Sequence, residues 1–167
     1  MANFNKKTRA VYVQGKLGPF PKLKTPDVKF NCWVATIYPT KDSLEQIREL
    51  QAEGLKNVIK KDEDGYFVRF RCDTFKPRKD GTVWTFAQPV VVDMDNRPVD
   101  GDVVGQGSDV TLKLEVYEHP TPTGGKSIAA RLVGVRVDNL IEFDPDRDMD
   151  DDTREIATGL NKVQPLF

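Results

Sequence analysis

The chain has 167 residues and a formal net charge of −1, with 38% hydrophobic and 31% charged residues, which is typical of one polar globular domain with room for a tail. It contains no apolar run near the length of about 18 residues that a membrane span needs, and its N-terminus lacks the apolar segment of a signal peptide. Two cysteines and one histidine are too few for a disulfide framework, a zinc site or most nucleophilic chemistries, so we expect a cytoplasmic, non-enzymatic protein without membrane contact, metal or other cofactor.

The first 40 residues predict two strands separated by a basic loop. Residues 8–14 are rich in β-prone residues, and residues 28–38 form a longer strand candidate that Pro39 ends. Between them, residues 15–29 contain several glycines and prolines and four lysines against a single aspartate. This composition indicates a cationic loop.

A helix is predicted next, ending at about Lys61. Asp42 and Glu45 have the spacing of a capping box, and apolar residues then recur at helical intervals. Gly54 weakens the middle of this helix without abolishing it. The following sequence, Lys-Asp-Glu-Asp-Gly at residues 61–65, predicts a turn.

The rest of the domain is predicted to be β. Alternation of apolar and polar residues predicts strands at residues 66–73, 83–93, 110–117 and 128–143. Gly134 is a natural site for a bulge in the last of these. Six short strands with one helix and no internal repeat predict a small closed or partly open antiparallel barrel of five to six strands, and a β-sandwich is the alternative.

The composition changes to that of a tail at residue 144. Residues 138–155 hold nine acids and two arginines, so we expect a folded domain over residues 1–143 and an acidic tail over residues 144–167. The acids imitate the spacing of a calcium loop, but Met149 stands where that loop needs glycine and a strand precedes it instead of a helix. A solvated tail is therefore preferred, and such a polyanion can compete with other polyanions for a basic surface.

Charge is distributed unevenly along the chain. Residues 1–90 carry 17 Lys and Arg against 10 Asp and Glu, a net of +7, and residues 91–167 carry 8 against 16, a net of −8. The basic part also holds 12 of the 15 aromatic residues. Cations neutralise phosphates and flat rings stack on bases, so this pattern favours single-stranded nucleic acid as the partner. The alternative interpretation is an ordinary solvated surface followed by a disordered tail.

The predicted strand at residues 66–73 is the most informative segment. Alternation places one ring and two guanidiniums on a shared face, namely Phe67, Arg69 and Arg71. It assigns the other face to the core, with Tyr66, Val68, Phe70 and Cys72. An exposed face of this composition would offer stacking and phosphate contacts together.

The segment after this strand adds further candidate contacts. A cationic loop leads to the next strand, where Trp84 and Phe86 share a face, and we expect one of these two rings to lie in the core. The full set of predicted DNA contacts is Phe67, Arg69, Arg71, Phe75, Lys76, Arg78, Lys79 and Trp84, with Lys16, Lys22 and Lys24 as the opposite wall of a groove.

Enzyme signatures are incomplete in this sequence. The closest imitation of a P-loop, Gly-Gly-Lys-Ser at residues 124–127, lacks the upstream glycine and falls in a predicted hairpin loop. A hydrolase using acidic residues is a further alternative, although no spacing singles out a pair of carboxylates. The main alternative to DNA binding is a β-rich structural or protein-interaction domain, such as a virion component, whose basic face meets an acidic partner.

Three segments, residues 89–93, 105–117 and 127–143, resemble the phage-encoded single-stranded-DNA-binding proteins of replication and recombination. The acidic tail closing on Phe167 and the charged helix placed after an early strand are similar to theirs as well. The resemblance implies an OB-fold that binds single-stranded DNA without sequence preference in DNA replication, recombination or repair. It also implies a location in the host cell cytoplasm and, in many members, a homodimer.

The resemblance further implies a role for the tail. In this family the tail contacts replication or recombination proteins and shields the groove when DNA is absent. The corresponding candidates here are Asp150, Asp151, Asp152 and Phe167. One departure is that a non-acidic stretch, residues 156–167, follows the acidic block, so the resemblance to the family's tail is closer for the aspartates than for Phe167.

Overall fold

Ten strands, one α-helix and one 3₁₀ turn follow each other in the computed structural model, which describes residues 8–118 and 127–142. The helix α1 covers Lys41–Ala52 and the 3₁₀ turn covers Gly101–Val103. The strands are β1 (Thr8–Leu17), β2 (Lys22–Asp27), β3 (Cys32–Pro39), β4 (Lys60–Asp62), β5 (Gly65–Asp73), β6 (Phe75–Pro77), β7 (Val83–Thr85), β8 (Val90–Asp93), β9 (Asp109–Glu118) and β10 (Ile128–Asn139).

Five of these strands close a barrel. Neighbours around it are β1, β3, β5, β10 and β9, and β9 pairs again with β1. Every pair is antiparallel except β5 with β10, which is parallel. The first barrel strand therefore pairs with the fourth and the third with the fifth, the Greek-key arrangement of an OB-fold. The predicted mainly β, OB-fold-like barrel with one helix is confirmed, and the sandwich alternative is wrong.

Inward-facing side chains from all five barrel strands fill the interior. Phe70 is the largest fully buried side chain, and burial of a side chain of this kind contributes about 1.5–3 kcal/mol. Residues of the barrel strands that are at most 1% exposed are Val13, Leu17, Ala35, Ile37, Val68, Phe70, Val110, Leu112, Leu114 and Leu132. On β1 and β5 most of the intervening residues are exposed, so the outer side of these strands remains available to a ligand, whereas Thr36 of β3 and Thr111 of β9 are buried as well.

The helix is shorter than predicted and has a different cap. Thr40, not Asp42, is the N-cap, and its side-chain oxygen accepts a backbone hydrogen bond from the first turn. The predicted extension to about Lys61 is wrong, because Gly54 adopts a φ of 113° and the chain leaves the helix there. The residues that follow Gly54 run beside β5 instead, and the last of them form β4.

Several predicted strands also differ in extent. The basic loop predicted at residues 15–29 contains the end of β1 and all of β2. The strand predicted at residues 83–93 is divided into β7 and β8, and the last strand ends at Asn139. Gly134 does lie at an irregularity in the register of β9 and β10, as predicted. The predicted tail at residues 144–167 lies outside the described residues.

Over the described ranges, no helix is long and apolar enough to span a membrane. In the same ranges, no cluster of three or more His, Cys, Asp or Glu side chains could hold a metal ion.

Gly15 lies where β1 passes from one barrel neighbour to the other. It is paired with Val110 of β9 and also with Pro39 of β3. A Cβ atom at position 15 would lie 2.2 Å from the carbonyl oxygen of Tyr38, which is far inside van der Waals contact. The close approach of β1 and β3 that closes the barrel therefore requires glycine at this position.

We predict that Gly15→Ala lowers the free energy of unfolding by about 1–3 kcal/mol, because the barrel must open locally to admit the methyl group. The control is Gly134→Ala, since a Cβ there meets no heavy atom closer than 3.4 Å, and it should change stability by less than about 1 kcal/mol. Urea denaturation followed by circular dichroism measures both variants. Equal destabilisation by the two substitutions would contradict this view of barrel closure.

Candidate nucleic-acid interface

The outer side of β5 carries the predicted combination of one ring and two guanidiniums. Phe67 is half-buried and both Arg69 and Arg71 are exposed. The inward positions of the same strand are buried, namely Val68, Phe70 and Cys72. The predicted alternation is confirmed for these residues, but Tyr66 is 41% exposed and does not belong to the core.

The neighbouring strand β3 extends this surface. Residues directly opposite each other in an antiparallel pair point to the same side of the sheet. Thr36 opposes Arg69, and Val34 opposes Arg71. We call the surface formed by the outward side chains of β3 and β5 the β3–β5 face.

A row of two rings between two amines crosses one end of the β3–β5 face. The centroids of the Tyr38 and Phe67 rings lie 5.6 Å apart. In the strand register Lys16 opposes Tyr38, and Lys60 opposes Phe67. We call these four residues the Tyr38 row. It combines flat surfaces for bases with charges for phosphates, although Lys16 Nζ also lies 3.0 Å from Asp109 Oδ1.

The Tyr38 ring is fixed in place and uncharged at neutral pH. Its hydroxyl donates a hydrogen bond of 2.5 Å to Asp62 Oδ2. Partial burial, and then this hydrogen bond and the charge of the Asp62 carboxylate, raise the pKa of Tyr38 to about 12. The ring is therefore an uncharged stacking surface with the Asp62 carboxylate at its hydroxyl end.

A second, cationic row crosses the middle of the face. Lys22 of β2 opposes Val34, which in turn opposes Arg71. Arg71 lies beside Arg131 of the parallel neighbour β10. Its Nε atom is 3.9 Å from Asp73 Oδ1, but its side chain remains 64% exposed. Over the described part of the chain, Arg69 forms no ion pair, so its full charge is available to a ligand.

The β6–β7 hairpin projects from the end of the face where β5 finishes. Trp84 is 54% exposed and Phe75 is 43% exposed. The guanidinium of Arg78 lies 4.8 Å from the centroid of the Trp84 ring. Lys76 opposes Trp84 across the hairpin, and Lys79 is exposed in its turn. The hairpin is thus an arm of rings and cations beside the β3–β5 face.

A chain of aromatic and cationic contacts connects this arm to the barrel. The rings of Trp84 and Phe86 have centroids 6.5 Å apart, and the guanidinium of Arg131 lies 4.9 Å from the Phe86 centroid. Arg131 also donates to Glu115 Oε1 at 2.5 Å. Phe86 is half-buried and packs against the core, whereas Trp84 is exposed, so neither ring lies fully inside the core.

The remaining predicted contacts are placed less directly. Lys24 is exposed on β2, but its Nζ lies 3.5 Å from Asp100 Oδ1. The predicted tail contacts lie outside the described residues, namely Asp150, Asp151, Asp152 and Phe167. The structure therefore brings the predicted residues of β5 together with Lys16 and Lys22, and it places the predicted residues of the hairpin on an adjacent arm.

Sequence reasoning missed two members of the Tyr38 row. Tyr38 lies two residues after Thr36 and four after Val34, so the three side chains share one side of β3. This period of two was the signal that could have identified Tyr38. Lys60 was assigned to the predicted helix, and its place opposite Phe67 depends on a strand pairing that no local pattern reveals.

Two further exposed rings lie on the connection between β1 and β3. Phe20 is 55% exposed and has a φ of 57°, which is unfavourable for a bulky residue. Phe30 is 63% exposed, and Lys29 Nζ lies 5.3 Å from its ring centroid. Exposed rings on this connection of an OB-fold are candidates for stacking, because it is one of the loops through which such barrels bind oligonucleotides.

No protein-family model and no curated protein matches the sequence, but solved structures share the fold. One is gp2.5, a single-stranded DNA binding protein encoded by bacteriophage T7, with 19% identity, a TM-score of 0.54 and coverage of 90% of this chain and 94% of that chain. Another is the single-stranded DNA-binding protein from bacteriophage Enc34, with 19% identity, a TM-score of 0.53 and coverage of 84% and 87%. Its C-terminal truncation has 16% identity, a TM-score of 0.52 and coverage of 81% and 88%. The similarity establishes a shared fold over most of the chain.

Proposed function

We propose that the protein binds single-stranded DNA without sequence preference, through the β3–β5 face and the β6–β7 hairpin. The observation that carries this proposal is the Tyr38 row, in which two adjacent rings lie between two lysines on the outer side of a closed barrel. The shared fold with the T7 and Enc34 proteins supports it, because the names of those proteins state single-stranded DNA binding.

The chemistry of the face favours single strands over duplexes. Stacking on Phe67 and Tyr38 requires a base whose flat side is free, and bases inside a duplex already stack on each other. Lysine and arginine side chains on long exposed stems match a phosphate backbone that passes over the face. Every base has a flat side, so contacts of this kind tolerate any sequence.

We further propose that the protein coats single strands during phage DNA replication, recombination or repair, and that it acts as a binding protein and not as an enzyme. The face supplies rings and cations, which hold a strand but do not activate water or a nucleophile. Homodimer formation and tail contacts with replication or recombination proteins belong to the same proposal and rest on the resemblance to the phage family.

We also propose that the acidic residues 144–155 compete with DNA for the cations of the β3–β5 face. They hold seven Asp and Glu against two Arg. Asn139 at the end of β10 pairs with Asp109, which opposes Lys16 of the Tyr38 row. Beyond Asn139 the described chain continues to Glu142, which is bridged to Val104, and a polyanion tethered there has a high effective concentration near the cations.

Removing a ring and removing a charge from the β3–β5 face should change DNA binding in different ways. Phe67→Ala should weaken binding of an oligothymidylate by about 1–3 kcal/mol at every salt concentration, because it removes one stacking surface. Arg69→Gln should instead reduce the slope of log K against log salt by about 0.7, the contribution of one phosphate on a single strand. Fluorescence anisotropy titrations at several salt concentrations measure both effects.

The control for these variants is Lys113→Gln, which removes an exposed cation from β9 on another wall of the barrel. Its affinity and salt slope should equal those of the wild type. If folded wild-type protein shows no binding at low salt, the proposed function is wrong. If Phe67→Ala and Arg69→Gln both bind like the wild type, the strand does not use the β3–β5 face.

A chain that ends at residue 143 should bind single-stranded DNA more tightly than the full chain. Removing the polyanion frees the cations of the face, and the gain should be largest at low salt because exposed charges are screened as salt rises. Anisotropy titrations of the two proteins at two salt concentrations measure the difference. Unchanged or weaker affinity in a folded truncation would refute the competition.

A further inference from the structure

The β4–β5 hairpin carries a cation beside an aromatic ring on each of its two sides. Lys60 opposes Phe67, and the next pair in the register is Lys61 with Tyr66. Consecutive residues of a strand point to opposite sides of the sheet. Lys60 and Phe67 therefore belong to the β3–β5 face, while Lys61 and Tyr66 lie on the reverse side of the same hairpin.

The reverse side has the same chemistry as the Tyr38 row. Lys61 Nζ lies 5.2 Å from the centroid of the Tyr66 ring, and the guanidinium of Arg48, on α1, lies 5.6 Å from it. Tyr66 is 41% exposed, although its position in the alternation of β5 assigns it to the interior. Over the described ranges neither cation forms an ion pair. We call Arg48, Lys61 and Tyr66 the Tyr66 cluster.

The edge between the two sides is also cationic. After the helix, the chain runs beside β5, where Asn57 Nδ2 donates a hydrogen bond of 2.7 Å to the carbonyl oxygen of Arg69. Lys56, Val58 and Lys60 are all exposed along this edge. An open trough continues from there to Tyr66, lined in part by Arg48, Lys56 and Val58.

Acidic residues determine where a DNA strand can cross the β4–β5 hairpin. The turn between β4 and β5 carries Glu63 and Asp64, which repel phosphates. The Asp62 carboxylate accepts hydrogen bonds from the Tyr38 hydroxyl and from the backbone of Asp64. A polyanion is thus directed away from the turn and over the edge that carries Lys56 and Lys60.

We propose that single-stranded DNA leaving the β3–β5 face at Phe67 crosses the edge at Lys56 and Lys60 and places a further nucleotide on the Tyr66 cluster. This inference rests on the proposed function and extends the binding site around the β4–β5 hairpin. The phenol ring and the guanidinium plane of Arg48 supply the stacking surface, and Lys61 supplies the charge for a phosphate. The cluster contributes only when the strand is long enough to reach past the face.

The test is a series of oligothymidylates from about 4 to about 16 nucleotides, the range of site sizes known for one OB-fold. We expect Tyr66→Ala to bind the shortest oligonucleotides like the wild type and to lose about fivefold or more in affinity for the longest. The double variant Arg48→Gln, Lys61→Gln replaces two exposed side chains and leaves the core intact. It should show the same dependence on length, with a smaller salt slope only for long oligonucleotides.

Two controls separate this cluster from the rest of the surface. Phe67→Ala should weaken binding at every length, because it belongs to the face that short strands already occupy. Tyr12→Ala removes a ring that is 51% exposed on β1, away from the proposed path, and should have no effect at any length.

Three outcomes overturn the inference, and they differ in whether the proposed function remains valid. If the wild type binds oligonucleotides but both cluster variants match it at every length, the path ends at the β3–β5 face and the proposed function survives. If the cluster variants weaken short and long oligonucleotides equally while remaining folded, the cluster is not a separate extension. If the wild type binds no oligonucleotide, the proposed function is wrong and this inference falls with it.

Discussion

The antiparallel register between β3 and β5 is the constraint on which the proposed binding surface depends. It places Phe67 beside Tyr38 and Arg69 opposite Thr36, with Phe70 buried on the inner side. Because side chains alternate with a period of two, a slip of one residue would drive both arginines of β5 into the core and expose Phe70. The same apolar burial that closes the barrel therefore presents the cations and rings to solvent, and fold and site share one cause.

The ion pairs on and beside the β3–β5 face are weak, so an anionic ligand can compete with them. Lys16, Lys24 and Arg71 lie near aspartates, yet every side chain in these three pairs is at least 43% exposed. Exposed pairs of this kind contribute at most about 1 kcal/mol each, so a phosphate can replace the carboxylate at small cost. The acidic residues 144–155 carry the same carboxylates as these aspartates, and in the proposed competition they take the place of DNA at the same cations.

The arm and the barrel are coupled by contacts that no strand pairing provides. Arg131 lies against the Phe86 ring and forms an ion pair with Glu115, with its side chain only 26% exposed. Trp84 continues this chain of contacts from Phe86 into the hairpin. The orientation of the arm therefore depends on the barrel wall formed by β9 and β10, on the side of the β3–β5 face next to Arg71.

Local pattern predicted the parts of the site that lie on one strand, and it failed where distant segments meet. The alternation from Phe67 to Cys72 was visible because one side of β5 is core and the other is solvent. Tyr66 broke the pattern because it lies at the start of the strand, where α1 contributes Arg48 instead of an apolar cover. The helix was predicted too long because Leu55 and Ile59 keep a helical interval, although Gly54 adopts a conformation that ends the helix.

The most direct test of the site is a titration of ¹⁵N-labelled protein with an oligothymidylate, followed by the shifts of the backbone amide signals. If the strand binds as proposed, the largest shifts belong to amides of β3, β4 and β5 and of the β6–β7 hairpin, while those around Tyr12 and Lys113 on the β1–β9 wall stay nearly constant. The largest shifts on the β1–β9 wall, with the β5 amides unmoved, would contradict the assignment of the β3–β5 face as the DNA-binding surface.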